Sequence, residues 1–83
     1  MSKVGKQVAT SQVAEAIAQR IIQGMQPGEQ LESEAALAAA HEVSRVTIRE
    51  ALKILAGRGL VQVQRGRRAE VRHPDGSTYG EFL

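Results

Sequence analysis

"VSRVTIREALKIL", residues 43–55, decides how this chain is read. Ile48, Ala51, Leu52 and Leu55 recur at three- and four-residue spacing, one apolar stripe of an α-helix. Ser44 stands where that helix would begin, and a serine there can accept hydrogen bonds from the unpaired N–H groups of the first turn. At about 100° per residue, Arg49 lies only about 40° around the helix from Arg45. Ile48 and Leu52 hold the neighbouring sector. The stripe anchors the helix while two arginines project beside its N-terminus.

Upstream, "HEV" at 41–43 interrupts a preceding helix, "SEAALAAA" at 33–40. Ser33 can cap that helix, Glu34 sits on the favourable side of its dipole, and the alanines are strong helix formers that admit a close neighbour. Before it comes a turn, "QPGE" at 26–29, in which Pro27 sets φ and Gly28 supplies a positive φ, then an extended piece from Glu29 to Leu31. The first helix is expected to start at a cap on Thr10 or Ser11 and to end near Gly24. Its apolar face is read as Val13, Ala14, Ile17, Ala18, Ile21 and Ile22. Residues 1–9 read as a flexible arm.

Downstream the period changes. The third helix is expected to run over about 44–58, with Gly57 and Gly59 at its end. "LVQVQ" at 60–64 then alternates apolar and polar residues, as a half-buried strand does. "RGRR" at 65–68 is a turn with Gly66 at its tip, and "AEVR" at 69–72 returns as the paired strand. Residues 73–83, "HPDGSTYGEFL", have no clear period and read as a linker. The expected fold is mainly α with a small β-hairpin, three helices and a two- or three-stranded sheet, in a domain spanning 10–72.

At 83 residues the chain is one small domain with a modest core. It has one Phe, one Tyr and no Trp, so Leu, Ile, Val and Ala must fill that core. No cysteine means no disulfide, thiolate metal site or cysteine nucleophile. No apolar run approaches the roughly 18 residues of a membrane span, and no signal-peptide pattern follows Met1. No membrane association and a cytoplasmic location are expected. His41 and His73 are isolated and make no metal site. No nucleophile elbow, carboxylate pair or phosphate loop is present, so neither an enzyme nor a cofactor is expected. The charge is uneven: residues 1–43 have a net of −2, residues 44–73 a net of +6 and residues 74–83 a net of −2. Such asymmetry points to a polyanionic partner at one end of the domain.

Two helices joined by a tight turn, the second basic at its start, have the order of a helix-turn-helix. The second helix of that motif enters the major groove of DNA with its first residues against base edges. An arginine fork bonds guanine O6 and N7, or a phosphate, in bidentate fashion. Thr47 can touch a base edge, a thymine methyl or a phosphate. Glu50 reads as an internal salt-bridge partner beside Arg49. The hairpin becomes a wing over about 60–72, with Arg65, Arg67 and Arg68 placed for phosphates or a narrow minor groove.

The chain over about residues 12–72 resembles the N-terminal winged helix-turn-helix of the GntR family of bacterial transcription regulators. The resemblance rests on I-x-x-G-x-x-P-G-E-x-L at 21–31, S-E-x-x-L-A at 33–38, V-S-R-x-T-I-R-E-A-L at 43–52, G-L-V at 59–61 and the glycine-tipped wing. It implies a sequence-specific operator-binding domain of a repressor, with Arg45, Thr47 and Arg49 as recognition-helix contacts. Ser33 and Ser44 would be phosphate contacts or caps, and the wing tip at Arg65 and Gly66 would enter the minor groove beside Arg67. It also implies a palindromic operator on double-stranded DNA, a homodimeric full-length regulator and an absent C-terminal effector domain. The isolated domain is expected to be monomeric, and "R-E-A-L" leans toward the subfamily with an all-helical FCD effector domain. Two positions depart from the family pattern: Ala35 replaces the usual arginine and Glu42 the usual glycine. A non-glycine residue at 42 must adopt the left-handed conformation at roughly 1 kcal/mol, or the turn must differ. The alternative function is a winged helix that contacts an acidic protein partner. Arginines at the helix start and wing tip, rather than exposed apolar residues, argue for DNA.

Overall fold

The computed structural model describes residues 2–72, with side chains from residue 7 onward. Three helices, α1 (Ser2–Gly24), α2 (Glu34–His41) and α3 (Arg45–Gly57), precede two strands, β1 (Val61–Gln62) and β2 (Glu70–Val71). The strands pair antiparallel, with Val61 opposite Val71 and Gln62 opposite Glu70. The extended piece after the Pro27–Gly28 turn adds an isolated bridge from Gln30 to Glu70, on the other side of β2. This is the expected winged helix-turn-helix. The expected linker at 73–83 lies outside the described residues.

Each end of α2 and α3 has a local cause. Ser33 Oγ accepts from the Ala36 N–H at 3.1 Å, and Ser44 Oγ accepts from the Thr47 N–H at 3.1 Å. Both serines cap as the sequence suggested. At the end of α2, Val43 N–H donates to Ala38 O and Glu42 N–H to Ala39 O. That paired return is the Schellman motif, which needs a left-handed residue between helix and exit. Glu42 supplies it, at φ 57° and ψ 45°. At the end of α3, Leu60 N–H donates to Leu55 O and Gly59 N–H to Ala56 O, and Gly59 has φ 80°. The same device thus turns both helices, once with the glycine that suits it and once without.

The core is aliphatic. Ile17 and Ile21 of α1, Leu31, Leu37 of α2, Ile48 and Leu55 of α3, and Val71 of β2 are its largest fully buried side chains. All four stripe residues of α3 are buried. The segment Glu29–Leu31 is held by two bonds: Leu31 N–H donates to Ala69 O at 2.8 Å, and Val71 N–H donates to Glu29 O at 2.7 Å. The wing base is therefore stitched to the segment that leads into α2.

Three expectations need correction. The first helix begins at Ser2, not at a cap on Thr10 or Ser11, so residues 2–9 are helical rather than an arm. Thr10 is buried, and its hydroxyl faces Glu50 Oε1 of α3 at 3.5 Å. With no proline in "SKVGKQVA", nothing interrupts the helix N-terminal to it. Ile22 lies outside the buried face, at 55% exposure. The alternation in "LVQVQ" does not persist: Leu60 and Val61 are both buried and Val63 is exposed. Leu60 is the hydrophobic exit of the α3 turn, and strand pairing ends at Gln62, where the chain leaves for the wing.

Candidate nucleic-acid interface

The N-terminal turns of α3, the start of α2 and the wing enclose one open cleft. Among the described residues its lining includes Arg45, Arg49, Lys53, Arg65, Arg67 and Arg68, with Glu32 and Glu34 as the acidic members. Six cations against two carboxylates make a positive concavity, and low-dielectric walls strengthen its field. The cleft sits where Leu31 and Ala69 tie the wing base to the entry of α2, so fold and charge coincide.

Arg45, the first residue of α3, is exposed and has no ion pair among the described residues. The same is true of Lys53, Arg65, Arg67 and Arg68. The wing tip turns at Arg65–Gly66, where Arg67 N–H donates to Gln64 O at 3.2 Å and Gly66 has φ 73°. Glycine is required there because the third position of this turn is left-handed and a Cβ would be strained. Arg72 bonds Gln62 across the strand pair and belongs to the wing base.

Arg49 is exposed but not free. Its Nη2 donates to Glu34 Oε1 at 3.1 Å and its Nε to Oε2 at 3.4 Å. The hydrogen bond that Arg49 donates to Glu34 raises the Arg49 pKa above its ordinary value. Its carboxylate partner is therefore Glu34, fifteen residues upstream, rather than the adjacent Glu50, which faces Thr10. Elsewhere Arg58 pairs with Glu15 at 3.0 Å, and Arg20 grips Glu32 through two bonds of 2.9 and 2.6 Å. Those two arginines brace α1 against the rest of the fold.

Thr47 departs from expectation. It is buried, 5% exposed, and its hydroxyl shares a hydrogen bond with Ser44 Oγ at 3.0 Å. In this arrangement it completes the cap of α3 and does not face outward. Its neighbour Val46 is exposed at 46% on the same turn. Ser33 is half-buried at its cap and lines the cleft, while Ala35 beside it is exposed and uncharged. Sequence reasoning missed the pairing of Glu34 with Arg49 because the two lie on different helices.

A three-helix core, a tight left-handed turn before a basic helix and a basic hairpin beside it define a winged helix-turn-helix, the architecture of DNA-binding domains of transcription regulators. The chain belongs to the family of bacterial regulatory proteins called gntR, whose model matches residues 9–71. It is 50% identical over 56 residues to the HTH-type transcriptional repressor NanR of Shigella sonnei, covering 66% of this chain and 21% of that protein. It is 49% identical over 51 residues to NanR of Citrobacter rodentium, covering 61% of this chain and 20% of that protein. The chain thus matches about a fifth of the length of these relatives. Among solved structures, the AraR DNA-binding domain in complex with operator ORX1 superposes with a TM-score of 0.72 at 34% identity, covering 76% of this chain and 77% of that one. S. agalactiae BusR in complex with its busAB-promotor DNA gives 0.72 at 28% identity, covering 89% of this chain and 38% of that one. Among the described residues no helix is long and apolar enough to cross a membrane.

Proposed function

We propose that residues 10–72 recognise an operator in double-stranded DNA, with α3 in the major groove and the wing in or near the minor groove. The observation that carries this reading is the cleft: Arg45 at the start of α3 and Arg65, Arg67 and Arg68 on the wing, none with an ion pair among the described residues, all line it. Arg45 reads a base edge. Arg65, Gly66 and Arg67 follow the minor-groove edge, and Ser33 and Ser44 are caps whose hydroxyls lie at the phosphate side. Thr47 supports the helix from beneath. The likeness to NanR favours a repressor.

In the longer regulator this domain acts as one half of a homodimer on a palindromic site, while the 83-residue chain alone is a monomer. Selection of bound sequences from a random duplex pool, followed by titration at several salt concentrations, tests the reading. Enrichment of a defined half-site with affinity falling steeply as salt rises is the expected result. A pool that stays random, or binding indifferent to salt, contradicts it. Sedimentation of the free chain tests the monomer.

A further inference from the structure

Of the two arginines at the start of α3, one is free and one is held. Arg45 has no ion pair among the described residues, whereas Glu34 grips Arg49 along the Nε–Nη2 edge of its guanidinium. A guanidinium has five N–H donors in a rigid plane. Occupation of that edge leaves the Nη1–Nη2 end open, and among the described residues nothing bonds Nη1. Guanine O6 and N7 accept two parallel N–H donors, which is the pattern this open end offers. Glu34 is the first residue of α2, across the cleft, directly after the Ser33 cap, whose Oγ accepts from the Ala36 N–H.

We propose that Glu34 is a positioning residue that buttresses Arg49, presenting its free edge to a guanine while withholding it from phosphates. This rests on the DNA-reading function above. The carboxylate lies in a cleft meant for a polyanion, so by charge alone it opposes binding to any duplex. Its presence is explained if orientation of Arg49 gains more selectivity than the negative charge loses in general affinity. Freed from Glu34, Arg49 would swing toward phosphates and bind all duplexes more evenly.

The test compares the chain with its Glu34→Gln and Glu34→Ala variants. The probes are a duplex selected by the unaltered chain from a random pool and a scrambled duplex of equal composition. Both variants should bind the scrambled duplex roughly two- to fivefold more tightly, the size of one exposed charge interaction. Their preference for the selected duplex should fall roughly two- to tenfold, the cost of immobilising one long side chain at binding. Replacing guanines one at a time by 7-deazaguanine should weaken the unaltered chain at one position where the variants are indifferent. Circular dichroism controls for folding, and Glu34→Gln retains the size of the side chain. Equal weakening on both duplexes would make Glu34 merely part of the α2 start, and equal strengthening would make it merely a repulsive charge; either overturns the proposal. If the unaltered chain itself fails to distinguish the duplexes, the DNA-reading function falls first.

Discussion

Glu42 occupies a backbone conformation that costs a non-glycine residue about 1–2 kcal/mol. Glycine would remove that strain but add about 0.4–1 kcal/mol of unfolded-state entropy. Glu42→Gly should therefore stabilise the domain by roughly 0.5–1 kcal/mol, read from chemical denaturation, with no effect on DNA selectivity. Ser44 is the opposite case. Its hydroxyl holds both the N–H and the hydroxyl of Thr47, so Ser44→Ala should destabilise by about 1 kcal/mol and loosen the turn that carries Arg45. At this scale the sequence was partly legible. Both serine caps, the buried stripe and the exposed arginines follow from spacing along one helix. The inward turn of Thr47 and the Arg49–Glu34 pair do not, because each depends on what a second element or a cap places nearby.

Elements were legible where a local signal ended them. Gly28, Gly59 and Gly66 all take the positive φ that their turns require, and α2 and α3 begin after their serine caps. The start of α1 was misplaced because Thr10 resembles a cap, whereas packing against α3 buries it inside a longer helix. The strand was overextended because a two-residue pairing leaves too little period to read. One ion pair now joins elements the sequence could not connect: Arg20 of α1 and Glu32, just before α2. Its hydrogen bonds hold the Glu32 carboxyl below its ordinary value of 4.5. A depressed carboxylate contributes stability above its unfolded value and loses it as pH falls through the folded one. The chain should thus be more stable than its Glu32→Gln variant near neutrality, and the two should converge below about pH 4.5 in thermal melts. Parallel curves throughout would show that the pair contributes nothing.

In the whole molecule, labour is divided between a rigid helix and a turning wing. Arg45 stands on α3, whose stripe is fully packed, and Arg67 stands on a tip held by one backbone hydrogen bond and Gly66. Neither side chain is buried, so Arg45→Ala and Arg67→Ala should both stay folded. Loss of a base contact costs roughly 1–3 kcal/mol at one base pair, whereas loss of a phosphate contact weakens every duplex and lowers the salt slope by about one. The most direct measurement is the affinity of the chain and these two variants for the selected and the scrambled duplex across a salt series. The account predicts that Arg45→Ala loses selectivity and keeps most of its scrambled-duplex affinity, while Arg67→Ala weakens both duplexes by the same factor with a shallower slope. Equal weakening of both duplexes by Arg45→Ala would mean that α3 does not read bases through its first turn.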